Sequence, residues 1–421
     1  MSTRHLPVRP DLTQLKHQAK DFLRAIRRGD VNAVAELREH GPRDVNPAAA
    51  ALADAQLALA RSYGVANWPR LVAACHLIDA IWRDDLERVR ELVVKRPMLL
   101  NEMARGTTRC NWGPPMSYAA NLGRDRIITM LRELGATDVR SAAGRAALQG
   151  HVATARMLYA MAGSPQLPAD AIMGPCEALN PEGLSLVLEL GANICDSTGD
   201  WRAPIAMLLE TYSRHPAGKH KCLEIMAARG IELPDTPTMA VHRGRLDLLE
   251  RHLRKDAERL QRTFSHREIY PPELGCHADE WLAVHGTPLG GATLLHLCID
   301  YGELETARWL LDRGMDVNVR AAIDTNGFGG HTPIFSAVVS YAYYVRSKYA
   351  SPKPEHDEFA QLLLDRGADP NVRASLRTRI HADAMHEYRD VTPLGWGQGF
   401  HAQELVSKPA MKLIVQRGGR L

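Results

Sequence analysis

The chain has 421 residues, of which 45% are hydrophobic, 24% charged and 6% aromatic, a balance that suits a globular protein and excludes a disordered or fibrous one. Lys and Arg number 52 against 49 Asp and Glu, a formal charge of +3, so no strong electrostatic pull toward nucleic acid or a membrane surface follows. No run approaches the roughly 20 apolar residues of a membrane-spanning helix, and the seven cysteines are scattered without a CxxC pair, which predicts reduced thiols in a cytoplasm.

Residues 1–75 read as an N-terminal helical leader or cap. The opening stretch, MSTRHLPVRPDL, lacks the apolar core of a signal peptide. Asp11 or Thr13 caps a helix in which Leu12, Leu15, Ala19, Phe22, Leu23 and Ile26 share a face, ended by Gly29. Further helices are predicted over Val31–Glu39 and Pro47–Tyr63. The basic stripe of Lys16, Lys20, Arg24, Arg27 and Arg28 is diluted by Asp11, Asp21 and Asp30 and reads as a solvated face.

Residues 76–264 carry a degenerate two-helix unit, marked by paired aliphatics before a glycine, as in MLRELGATD, VLELGAN and IMAARGIEL. An irregular insertion follows over 265–290, and a clear form of the unit occupies 291–421. Its best copy is Gly291–Ala321. Thr293 is an N-cap, Leu294, Leu295, Leu297 and Cys298 form an apolar stripe, and Gly302 ends the first helix. Ala307, Leu310 and Leu311 then sit at helical spacing before a stop at Gly314. Helices this short are marginal alone, so each unit needs copies of itself alongside.

Thr293-Leu294-Leu295-His296, Thr332-Pro333-Ile334-Phe335 and Thr392-Pro393-Leu394-Gly395, followed by Gly314, Gly367 and Gly418, resemble the starts and ends of ankyrin repeats, whose period is roughly 33 residues. The resemblance is strong over 291–421, fair over 76–264 and absent over 1–75, where the chain looks like the helical leader of some bacterial ankyrin-repeat proteins. It implies an all-α helix-turn-helix solenoid of roughly eight or nine units, an extended surface that binds a protein partner, and a structural role for His296 in bonding the neighbouring turn.

Function on such a scaffold sits where the repeat is interrupted. The interruptions are Ser265–Ala292, Ile323–His331, Tyr341–Glu358 and Arg373–Asp390. The candidate binding residues are Tyr270, Glu273, His277, Trp281 and His285 in the first, Phe328 and His331 in the second, and Arg377, Arg379, Tyr388, Arg389 and Asp390 in the last, with His401 just beyond. Tyr341, Tyr343 and Tyr344 join them as rim aromatics, since Tyr, Trp and Arg carry most interface energy.

The leading expectation is an intracellular protein-binding scaffold whose partner the sequence does not name, with no membrane contact, no cofactor and nucleic acid disfavoured. The alternative is an enzyme or a metal-dependent small-molecule binder using the 265–290 insertion with His331, Asp390 and His401. Neither HExxH nor CxxC is present, the helical spacing of His381 and His386 would make them diverge, and there is no G-x-S-x-G elbow or P-loop. Catalytic and metal-ligating residues are therefore not assigned.

Overall fold

The computed structural model describes residues 4–107, 110–256, 260–282, 284–349, 355–380 and 384–421. The chain divides into two compact units, Met1–Gln166 and Leu167–Leu421. No described helix is long and apolar enough to cross a membrane.

In the first unit, α1 (Leu12–Arg27), α2 (Val31–His40) and α3 (Leu52–Ser62) pack with α4 (Trp68–Trp82) around Leu15, Ala19, Phe22, Ile26, Leu37, Leu59 and Leu71. Asp11 caps α1 by accepting from Gln14 N at 2.8 Å. α4 runs through position 75 and pairs with α5 (Leu86–Lys95). The pairs α6 (Pro115–Ala120) with α7 (Asp125–Glu133), and α8 (Val139–Gln149) with α9 (Val152–Met161), complete the unit.

The second unit continues the two-helix plan. Its pairs are α10 (Met173–Glu177) with α11 (Pro181–Glu189), α12 (Ala203–Glu210) with α13 (Pro216–Ala228), and α14 (Pro237–His242) with α15 (Leu246–Lys255). After the short α16 (His266–Ile269) come α17 (Leu294–Tyr301) with α18 (Leu304–Asp312), then α19 (Pro333–Val338) with α21 (Glu358–Asp365), and α22 (Pro393–Gly399) with α23 (Lys408–Gln416). α20 (Tyr341–Tyr349) is inserted between α19 and α21 and packs on α17. First helices α14, α17, α19 and α22 stack in series, as do second helices α18, α21 and α23. One apolar core runs from Ile172 to Ile414. Burying each Leu or Ile in it is worth about 1.5–3 kcal/mol, which is what holds six- to nine-residue helices that water would unwind.

Polar groups repeat with the units. Asn318 donates to Gly367 O at 3.1 Å and accepts from Asp369 N at 2.8 Å. Asn371 does the same one unit later with Gly418 O and Arg420 N. Each Asp-x-Asn turn thus satisfies the backbone of its successor, while Arg366–Asp312 at 2.6 Å and Arg417–Asp365 at 2.7 Å pair the second helices.

The expected all-α architecture holds, with one addition. Ala374–Thr378 (β1) and His386–Val391 (β2) form an antiparallel pair with a register shift between Ala374 and Leu376. His386 is therefore on a strand and not on the helix that its spacing from His381 presupposed. His381 and Asp383, like 350–354 of the Tyr341–Glu358 interruption, lie outside the described residues.

Candidate functional site

The interruptions come together because backbone bonds lace them side by side. Phe264 bridges Ala292, Gly291 N donates to Phe264 O at 2.9 Å, and Ala322 N donates to Gly291 O at 2.8 Å. Gly329 N then donates to Ser375 O at 2.7 Å, which attaches β1 to the 323–331 loop. Between these segments lies a cleft of about 490 Å³, lined by residues from 263–268, 280–291, 322–331 and 376–377.

Glu280 stands in one wall, half-buried, on a short turn where Asp279 accepts from Trp281 N at 3.0 Å. Its carboxyl rests against Gly290, where a Cβ would overlap Oε2 in this rotamer. Burial pushes the Glu280 pKa up, against the nearby His266 and Arg377. Opposite, the Arg377 guanidinium lies 5.4 Å from the Trp281 ring centre and 5.0 Å from that of Phe328, and bonds Asp324 at 2.7 Å. Asp324 is held low by the N–H groups of its own turn and by Arg377, despite a desolvation that opposes them.

His266 and His331 supply the deeper lining. His266 Nε2 is 2.8 Å from His277 O, and His331 Nε2 is 3.1 Å from Pro288 O. A carbonyl oxygen only accepts, so each ring donates from Nε2. Neither Nδ1 has a partner among the described residues. Burial lowers the His331 pKa to about 4, which keeps that ring neutral near pH 7.

Of the sequence candidates, Trp281, Phe328, His331 and Arg377 meet at this cleft. Arg389 lies outside it, its guanidinium 4.0 Å from the Phe328 ring centre. The others are placed elsewhere. Tyr270 is 1% exposed and its hydroxyl bonds that of Tyr301 at 2.8 Å, so it is a core residue and not a rim aromatic. Tyr341 and Tyr343 are buried likewise, since α20 folds onto α17. His285 is buried with neither ring nitrogen bonded. His277 is exposed and ties the insertion to α12 through Glu210 at 2.9 Å. Glu273 is exposed on the 272–274 turn, and Arg379 is half-buried on the segment after β1. Tyr388 bonds His401 Nδ1 at 2.9 Å, and the His401 ring stacks on His386 at 3.8 Å. Asp390 is exposed and bonds Arg373 at 2.9 Å. His331 is therefore not grouped with Asp390 and His401, as the catalytic alternative required. Among the described residues, no three His, Cys, Asp or Glu side chains are placed to hold a metal ion.

Sequence reasoning did not single out Glu280, Asp324 or His266 as members of the cleft. It also missed a buried ionic cluster below. Arg214 bonds Asp300 at 2.9 Å with both side chains almost fully buried, and its guanidinium lies 4.6 Å from the Tyr301 ring centre. Lys219 Nζ sits 3.6 Å from that ring's centre, 3.3 Å from His242 Nδ1 and 3.9 Å from Glu303. Desolvation lowers the Lys219 pKa to about 8, with Glu303 opposing it. No local signal marks these residues, because the partners are 86 positions apart for Arg214 and Asp300.

His296 follows the expectation drawn from its place in the repeat start. Its Nδ1 is 2.9 Å from Thr293 Oγ1 and its Nε2 is 3.2 Å from His331 O, so it links the cap of α17 to the next unit. The ankyrin repeat family model matches residues 290–322, the span that contains this link. No curated protein matches the chain. Among solved structures, it is similar to the ankyrin repeat domain of human ASB11, at 16% identity over 73% of this chain and 99% of that one, with a TM-score of 0.26. It is also similar to an ankyrin repeat domain from Acinetobacter baumannii AYE, at 16% identity over 67% of this chain and all 100% of that one, with a TM-score of 0.23. Residues 290–322 thus form an ankyrin repeat, and the helix pairs that follow it keep the same two-helix plan.

Proposed function

We propose that this chain is a cytoplasmic scaffold that binds a protein partner through the cleft between its inserted loops and the rim around it. The observation that carries the reading is the convergence of three separate interruptions on one cleft of about 490 Å³. Repeat residues build the stack, whereas these loops add aromatic and arginine side chains beyond what stacking needs. Trp281, Arg377 and Arg389 are of the types that dominate interface energies. Ankyrin repeats are in general protein-interaction modules, which supports the same reading. The cytoplasmic part rests on seven cysteines, none of them in a disulfide.

The test is partner capture from lysate by the full chain, compared with a Trp281→Ala/Arg389→Glu variant of unchanged melting temperature. The variant is expected to lose the partners that the parent retains. If it keeps them, the binding surface is not at this rim.

A further inference from the structure

The cleft has a marked chemical bias, and it concerns which part of a partner it would accept. Four charged side chains line it: Glu268, Glu280, Asp324 and Arg377. Asp324 is matched by Arg377, and Glu268 by Arg262 and the Ser265 hydroxyl. Glu280 receives no hydrogen bond from any described residue, and burial disfavours its charged form. One carboxyl is left in the wall without a hydrogen bond, with only the nearby Arg377 and His266 favouring its charge.

The buried rings are also unsatisfied. His266 and His331 are 7% and 1% exposed, each donates Nε2–H to a backbone carbonyl, and neither Nδ1 has a partner among the described residues. On the neutral His331 ring what remains is an acceptor. An anionic ligand would find Arg377 as the lone cationic side chain in the lining, already engaged by Asp324. A ligand carrying positive charge and several N–H donors would supply what Glu280 lacks, because charge-assisted hydrogen bonds are the strongest available here.

The walls already show how they receive such a group. Arg377 is stacked against Trp281 and Phe328 with a carboxylate at its end, an arrangement in which aromatic faces and an acid share one guanidinium. A free metal ion is a poorer fit, since no three ligating side chains among the described residues are placed for one. A cleft of about 490 Å³ falls at the small end of ligand pockets and suits one extended side chain.

We propose that the cleft receives a basic side chain, Arg or Lys, of a protein partner, with Glu280 as its counter-ion beside His266 and the acceptor-bearing ring of His331. This rests on the protein-binding reading above and specifies the residue that enters the cleft.

The experiment is calorimetric titration of the full chain with N-acetyl-arginine amide, N-acetyl-lysine amide, and the neutral isostere N-acetyl-citrulline amide. Saturable binding of a basic derivative is expected, with citrulline at least about tenfold weaker, the worth of a charge-assisted bond. Glu280→Gln is expected to erase the difference between arginine and citrulline while leaving the melting temperature in place, because that half-buried carboxyl has no hydrogen bond to lose. The proposal is overturned if no basic derivative saturates at tens of millimolar, if citrulline binds as well as arginine, or if Glu280→Gln binds arginine unchanged. Any of these results leaves the protein-binding reading standing, since that is decided by partner capture with the Trp281 and Arg389 rim variant.

Discussion

Arg377 on β1 donates to Asp324 at 2.7 Å across 53 positions of sequence, and this pair fastens the strand pair to the neighbouring loop beside the cleft. The two side chains are 26% and 35% exposed, so solvent screening limits the bond to about 0–1 kcal/mol. Arg377→Ala should therefore lower the melting temperature by no more than roughly 2–4 °C for a unit of this size. Amide hydrogen exchange over 374–378 and 386–391 should nevertheless quicken, because the strand pair loses its side-chain tie. Unchanged exchange there would show that the Gly329–Ser375 bond alone holds the strands.

Gly290 tests how the cleft is shaped. A Cβ at this position would overlap Glu280 Oε2, so an added methyl must displace the end of that flexible side chain. Gly290→Ala should keep the chain folded and reduce the capture of basic probes as strongly as Glu280→Gln does. Full retention of binding would mean that Glu280 does not act from its present position.

Acid should weaken that same capture early. Burial raises the Glu280 pKa above the ordinary 4.5, while His266 and Arg377 pull it down and Asp279 and Asp324 push it up. A cation binds the ionised form, so affinity should rise with pH and reach its plateau at a higher pH than an ordinary carboxylate would give. A pH profile with a midpoint at or below 4.5 would contradict this.

Arg214 and Asp300 govern stability, not binding. Both side chains are at most 2% exposed, so Asp300→Asn strands a guanidinium that still bonds Asp300 O, Thr211 O and Val284 O but has lost its counter-charge. Removing one partner of a buried pair costs about 3–5 kcal/mol, whereas replacing both by apolar residues costs far less. Denaturant unfolding of Asp300→Asn should show the large loss, and Arg214→Met/Asp300→Leu a smaller one. Equal losses would place the worth of the pair in packing around Tyr301.

Neutral buried histidines make the second unit acid-sensitive. Desolvation holds His285 and His331 at about 4, from 6.5 in the unfolded chain, and drives His242 and His296 well below 6.5. Between 6.5 and about 4 the unfolded chain binds more protons, so stability is present above that window and is lost as pH falls through it. The melting temperature should drop over this range, less so in His285→Leu, whose parent ring has no bonded nitrogen to lose. A flat profile in the parent would refute the burial of neutral rings.

The sequence alone determined the repeat, because its signals are local. A Thr cap, a stripe of leucines and a glycine that leaves the helix at positive φ, as at Gly302 with φ 78°, act within a few residues of one another. They read equally well before and after folding. Even the role of His296 was legible, since its place in the T-x-L-H start fixes where its ring reaches. The tertiary structure alone decided which interruptions share a wall. Trp281, Phe328, His331 and Arg377 meet only because backbone bonds from Phe264 through Gly291 and Gly329 to Ser375 set three separate interruptions side by side. Tyr270 and His285, equally prominent in the sequence, are buried in the packed chain instead. Glu280 had no distinguishing neighbour in sequence. Its importance comes from a missing partner, and burial and pairing are properties of the packed chain.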